Sequence, residues 1–333
     1  MSSLSPRDIV AGISQIGSLP QALAAVLEVI NNPQSGARDI ADVISRDVSL
    51  TTRVLKLVNS ANYGCGRKVS RISEAVTLMG VNSIKVVALS SSVFGMISGR
   101  EVAEKQSIKR ISRHLIEVAV ISRGIALDIG YKEPEEAFVA GIIHDVGIII
   151  MMLYFREKYY DIIPELNIRR KGIIATEKEI FGFDHGQVGA ELIESWKLPP
   201  RLSFTVRQHH TVDTARVIDD EAFLNDLVAV ADRLTLGPFE GYYPDPEENI
   251  QCIHSIAARL KIGLEDLSRI RKDAIKESID MSKYLELDTG DLIDILADAN
   301  GKLAEMFISL EKVYLKKCEL EERLNKEPET TPV

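Results

Sequence analysis

Five of the six histidines, His114, His144, His185, His209 and His210, fall between positions 114 and 210. Asp145 directly follows His144, and Asp232 lies a short way beyond the group. Imidazole and carboxylate are the ligand types that suit divalent first-row metals of borderline softness. A histidine-poor chain that gathers its histidines on apolar segments therefore reads as a candidate metal cleft. Each residue also has a plainer reading. A single histidine on an apolar helix face is more often a hydrogen-bonded core residue than a ligand. His209 and His210, near a helix C-terminus, could simply complement the helix dipole. Asp232 could pair with Arg233 or cap a neighbouring helix. His254 falls outside the pattern and has no assigned role.

The elements that must position these residues are helical. Ile111, His114, Leu115, Val118, Ser122 and Ile125 share one helical face, which points His114 inward. Proline at a first turn starts the next helix near Pro134, and the pattern carries it through His144 and Asp145. Asp184 is placed to cap a helix that begins at His185. Pro199-Pro200 interrupts the chain, and the following helix ends near His209-His210. Asp232 lies in the apolar run Leu227 to Ala231, where a lone carboxylate is costly to bury. Upstream, helices are expected through Leu23 to Ile30, Ile40 to Ile44, Leu50 to Val58, Ile72 to Met79 and Val81 to Met96. A glycine-containing turn is expected at Tyr63 to Gly66. Strict apolar–polar alternation is nowhere sustained, so the fold class is all-α.

Composition sets the frame. A chain of 333 residues is long for one core, and 45% hydrophobic with 27% charged residues is ordinary for a globular protein. The net charge of −9 argues against general nucleic-acid binding, which needs a basic face. Cys65, Cys252 and Cys318 are far apart and odd in number, so neither a disulfide framework nor a zinc ribbon is expected. The N-terminus lacks a basic segment leading into an apolar one, and the apolar run Gly141 to Phe155 is short for a membrane span. A buried core helix and a cytoplasmic location are the expectation, with no membrane partner.

The residues also carry a resemblance. His114, His144-Asp145 and Asp232 look like the signature of the HD superfamily of metal-dependent phosphohydrolases. The longer pattern is similar to the HDOD family of bacterial signalling domains, over roughly Ile16 to Arg233. It rests on Ser18-Leu19-Pro20, on Ile44 to Leu50 leading to Leu57 to Tyr63, and on Ile72 to Val76 with Leu78-Met79-Gly80. It continues through His185 to Ala190, Trp196 to Pro199 and His209-His210. The resemblance implies a two-lobed helical bundle with an HD-like lobe and regulatory work, commonly without demonstrated catalysis. It implies that Asp145 bridges two divalent ions, of Fe, Mn, Ni or Zn. His114, His144 and Asp232 would complete one site, and His185, His209 and His210 the second. Such a pair, about 3.5–4 Å apart, activates water and neutralises a phosphoryl group.

Departures from the related HD-GYP phosphodiesterases weigh against catalysis. Gly147 is followed by Ile148 where those enzymes place a lysine suited to substrate phosphate. The element ending in Gly-Tyr-Pro is missing after His209-His210, and Gly241-Tyr242-Tyr243-Pro244 reads as an echo at the wrong place. Losing a phosphate-binding cation removes transition-state stabilisation. No residue is assigned a catalytic role.

The C-terminal part carries a heptad pattern. Leu292, Leu296, Ala299, Leu303, Met306, Leu310 and Val313 alternate steps of four and three, and Leu320 and Leu324 continue the register past Lys317. It fits a homodimer seam or a helix folded on its own core. The expected organisation is an N-terminal lobe over 1–100, an HD-like lobe over 101–285, a long amphipathic helix over 286–325 and a disordered tail over 326–333. The expected function is a non-catalytic bacterial signalling module with a metal-binding cleft, acting on a partner protein or nucleotide ligand. The alternative is a metal-dependent phosphohydrolase acting on a nucleotide or phosphomonoester.

Overall fold

The computed structural model describes residues 4–16, 34–59, 68–78, 80, 102–169, 171–212, 219–284 and 317, with positions 25, 26, 28, 29 and 32. Among these residues all regular structure is helical, as the absence of alternation requires. The expected helix over 81–96, the turn at 63–66 and the heptad segment, Lys317 apart, lie outside the described residues.

The N-terminal helices are α1 (Pro6–Ile16), α2 (Ala37–Ser45) and α3 (Val48–Val58). Ile40 and Ile44 on α2, and Leu50, Val54 and Val58 on α3, are buried at helical spacing. Asn59 closes the loop beyond α3. Its side-chain amide donates to the Val69 carbonyl at 2.8 Å and accepts from the Val69 amide at 2.7 Å.

The centre of the molecule is α4 (Val102–Asp128), whose predicted inward face is buried from Ile111 through His114 to Ile125. Around it pack α5 (Pro134–Ile143), α11 (Asp220–Thr235) and α13 (Leu264–Tyr284). A second group comprises α6 (Val146–Phe155), α7 (Glu157–Arg169), α8 (Ile173–Phe181), α9 (His185–Ser195) and α10 (Pro200–Gln208). Within it α9 packs on α6 and α10, and α1 lies across α6 and α9. Finally, α12 (Pro246–Leu260) packs on α11.

One expectation is corrected. The helix starting at Pro134 does not run through His144-Asp145; it stops at Ile143, and α6 starts afresh at Val146. Asp145 has φ −103° and ψ 17°, in the sparsely used bridge region, which turns the chain between α5 and α6. The apolar run from Pro134 to Phe155 is thus bent at its middle, and most of it is buried in the core.

Two glycines make the bend possible. A Cβ at Gly141 would sit 2.5 Å from the Ala119 Cα, so α5 crosses α4 at backbone contact. A Cβ at Gly147 would sit 1.9 Å from the His185 carbonyl oxygen, so α6 meets the start of α9 equally closely. Gly147→Ala should therefore destabilise the protein by at least about 2 kcal/mol, the upper part of the range for overpacking a core. Urea unfolding measures this, and an unchanged midpoint would mean that the crossing can open cheaply.

Candidate metal centre

The bend points both His144 and Asp145 into one buried cleft. His114 arrives from α4, His185 from the first turn of α9, His209 and His210 from the end of α10, and Asp232 from α11. Asp184 caps α9 as its sequence suggests: its side chain accepts from the Gln187 amide at 2.9 Å, and Gln187 reaches back to the Asp184 amide. That cap fixes His185 as the first helical residue. His144, Asp145, His185, His209 and Asp232 are fully buried, and His114 nearly so.

Donor atoms fall into two groups that meet at Asp145. His114 Nε2 lies 3.1 Å from His144 Nε2 and 3.2 Å from Asp232 Oδ1. Both imidazole nitrogens stand 3.4 Å from Asp145 Oδ2. On the other side, Asp145 Oδ1 is 3.1 Å from His185 Nε2 and 3.2 Å from His209 Nε2. His210 Nε2 lies 3.1 Å from His185 Nε2. All seven residues expected from the sequence are thus brought together, four around one end of the cleft and three around the other.

The outer face of each imidazole determines its inner face. His144 Nδ1 and His209 Nδ1 face the carbonyls of Gly141 and Val206 at 2.7 and 2.9 Å, so both must carry the proton. His185 Nδ1 donates to Glu177 at 2.8 Å, and Glu177 also accepts from the His185 amide and from the Tyr159 hydroxyl. Thr235 Oγ1 donates its one proton to the Asp232 carbonyl at 2.7 Å, so it accepts from His114 Nδ1 at 3.0 Å. With Nδ1 engaged outward, the four imidazoles turn Nε2 toward one another and toward two carboxylates. Such anchoring of the outer nitrogen is the arrangement expected of histidines that bind metal.

The residues fit a metal by two further observations. Donor atoms sharing one ion at about 2.1 Å stand roughly 3.0–3.4 Å apart, the spacing of the pairs given above, while His144 Nε2 and Asp232 Oδ1 are 3.9 Å apart. His209 Nε2 and Asp232 Oδ1 are buried without a hydrogen-bond partner, as atoms reserved for a cation would be. His114, His144 and Asp232 could hold one ion and His185, His209 and His210 another, with Asp145 common to both.

Titration follows the same logic. Burial opposes charge on Asp145, but His144, His185 and His114 outweigh it and hold the carboxyl well below the usual range. Asp232 behaves alike: burial opposes its charge, and His114, His144 and His210 overcome it. Burial also resists protonation of His114, yet Asp145 and Asp232 raise it to about 9. His185 is pushed well above its ordinary value against burial by Glu177 and Asp145. Burial and the neighbouring histidines push His210 well below. Protons on the His114 and His185 imidazoles supply positive charge beside the two buried carboxylates.

Sequence reasoning missed four contributors. Tyr242 donates to Asp145 Oδ1 and Oδ2 at 2.9 and 2.8 Å, and Tyr243 donates to Asp232 Oδ2. The segment read as a misplaced echo thus closes the cleft. Glu177 and Thr235 orient His185 and His114, and no motif marks either. Ile148 is fully buried and belongs to the apolar core. Arg233 pairs with His210 O at 2.9 Å and covers the Tyr243 ring; the suggested Asp232–Arg233 pairing is replaced by the contacts of Asp232 with His114 and Tyr243.

These features define an all-helical protein with a buried histidine–aspartate cleft. The HDOD domain pattern matches residues 16–212, and the chain belongs to the HDOD family. It is similar in structure to an HDOD domain protein of unknown function from Geobacter sulfurreducens, with TM-score 0.61 and 23% identity, covering 84% of this chain and 97% of that one. A Shewanella amazonensis protein named as a candidate phosphohydrolase gives TM-score 0.61 and 24% identity over 83% and 97% of the two chains. At these identities the likeness is one of fold. An uncharacterised protein of Treponema pallidum is 28% identical over 237 residues, 68% of this chain and 44% of that relative. The chain thus spans less than half the length of this relative. The matched domain ends before Asp232, Tyr242 and Tyr243.

The sign of the His114 shift gives a pH test. Because its folded pKa is raised, its stabilising contribution is complete below about 6.5 and is lost as pH rises through about 9. The depressed carboxyls of Asp145 and Asp232 contribute above the usual carboxylate range and lose that contribution on acidification. Chelator-stripped protein should lose on the order of 3 kcal/mol between pH 6.5 and 9, whereas metal-loaded protein should not. Denaturant titrations across pH read this directly, and a flat alkaline limb in stripped protein would count against it.

Proposed function

We propose that this chain is a regulatory HDOD protein whose cleft holds divalent metal for structure and signalling and not for hydrolysis. The observation that carries the reading is the pairing of Asp145 and Asp232 with Tyr242 and Tyr243. The oxygens that a phosphoryl substrate and its attacking water would need are engaged by the protein's own hydroxyls, and Tyr242 is almost fully buried. Catalysis needs an open coordination position, and hydroxyls already paired with both carboxylates weigh against one. Bound metal would supply the positive charge that the converging lone pairs and carboxylates require. His114, His144, Asp145, His185, His209, His210 and Asp232 would hold it, and Glu177 and Thr235 would fix the imidazole orientations. The intact donor set supports a second reading, a metal-dependent phosphohydrolase of nucleotides or phosphomonoesters in which the tyrosines move aside.

Elemental analysis of anaerobically purified protein tests the reading first. At least one first-row metal per chain is expected, and Asp145→Ala should lose it; a metal-free wild type would refute the metal role. Cyclic dinucleotide hydrolysis should be absent or marginal. Robust turnover by metal-loaded protein, abolished in Asp145→Ala, would instead establish the enzyme.

The regulatory reading includes a partner protein or nucleotide ligand and a homodimer through the heptad segment from Leu292 to Leu324. As a continuous helix that segment would be roughly 50 Å long, more than one globule covers easily. Leu303→Glu combined with Leu310→Glu should convert a dimer to a soluble monomer that keeps its metal content. Sedimentation measures this, and a monomeric wild type at micromolar concentration would place the stripe on its own core.

A further inference from the structure

Tyr242 does more than cover the cleft. Its hydroxyl oxygen lies almost equidistant from the two Asp145 oxygens, at 2.9 and 2.8 Å, and so close to the plane that bisects the carboxylate. Asp145 Oδ2 faces the group of His114, His144 and Asp232, and Oδ1 faces His185 and His209. The phenol oxygen therefore stands beside both donor groups, at 2.8–2.9 Å from Asp145, slightly closer than two ligands of one ion would stand. In a hydrolytic centre that position belongs to the water or hydroxide that attacks phosphorus.

The position is built and not incidental. Gly237, at φ +74°, packs so closely on the Tyr242 ring that a Cβ there would lie 2.2 Å from Cδ1. The Tyr242 carbonyl accepts from the Ile173 amide at 3.3 Å, and its amide donates to the Phe239 carbonyl at 3.2 Å. These contacts hold the ring from both sides of the loop. His210 Nε2 lies 3.1 Å from the same oxygen, so the phenol stands beside the shared carboxylate and an imidazole of the second donor group.

We propose that Tyr242 supplies its phenol oxygen as a direct ligand to metal held by Asp145 and the histidines, in the place that water would take in a hydrolase. The inference rests on the metal reading of the cleft. On binding, the phenolic O–H bond breaks, the oxygen–metal bond forms and the proton leaves to solvent. No electron is transferred. The site is filled by its own chain, which accounts for an HD-like donor set without an exposed nucleophile.

Ferric iron reports phenolate ligation directly, through a visible charge-transfer band whose resonance Raman spectrum carries tyrosine ring modes. Chelator-stripped full-length protein is reloaded with ferrous iron, oxidised and examined beside Tyr242→Phe and Tyr243→Phe, with iron content measured for each. Wild type and Tyr243→Phe should show the band; Tyr242→Phe should retain iron and lose it. A band that survives in Tyr242→Phe overturns the assignment. Should Tyr242→Phe fail to fold, ring-deuterated tyrosine in the wild type must shift the Raman modes, and Tyr243→Phe must keep them. Metal uptake without the band in the wild type sinks the tyrosine ligand and leaves the metal reading standing. Uptake of no first-row metal sinks both.

Discussion

The structure depends on burying the Asp145 carboxylate where four imidazole lone pairs also converge. Isolated, such a group would carry a desolvation penalty of several kcal/mol. It is tolerable only if positive charge is supplied between the ligands, by protons on His114 and His185 or by bound cations. Raised imidazoles beside depressed carboxyls are the protonic version of that solution. The rest of the lobe can be read as what holds the two groups of donors against their mutual repulsion. Carbonyls fix two imidazoles, Thr235 fixes a third and Glu177 the fourth, so each ring has one orientation available.

That convergence requires backbones closer than ordinary helix packing allows. Helices usually stand 8–10 Å apart, a distance set by the side chains at the contact. Gly141 and Gly147, on either side of the bend, remove those side chains where α5 meets α4 and α6 meets α9. Gly189 completes the second crossing: a Cβ there would meet Val206 at 2.7 Å and the Gly147 amide nitrogen at 3.2 Å. The bend at Asp145 and the missing Cβ atoms are one device. Without the bend, successive residues on a helix diverge by about 100°. With it, His144 and Asp145 can serve the same cleft.

Much of this was legible in the sequence because periodicity and residue chemistry are local. The inward face of α4 follows from apolar spacing, and His114 is carried inward with it. Asp184 and Gln187 announce the start of α9, and through it the position of His185. The bend was not legible, since His144-Asp145 sits in an unbroken apolar run without glycine or proline at the joint itself. Glu177 reads as one more charge on an amphipathic helix; its role depends on α8 and α9 folding against each other. Tyr242 and Tyr243 were visible as a motif but were judged by distance along the chain from His209-His210. Distance through space is set by α11, which carries the chain back across the cleft.

The tyrosines also change what the buried Ile148 signifies. Ile148 is part of the apolar core, so an isoleucine at this position has a packing role of its own whatever the chemistry of the cleft. The more telling difference is that this chain uses residues beyond its matched domain to occupy the space in front of Asp145. Tyr242 and Tyr243 lie on the loop between α11 and α12, which packs against the start of α8 through the Ile173 amide and Pro244. Movement of that loop would be coupled to α8, and α8 carries Glu177, the group that orients His185. A single displacement would therefore alter both the cover of the cleft and the anchoring of one of its ligands. That coupling is a physical route by which occupancy of the cleft can be read at the surface of the protein.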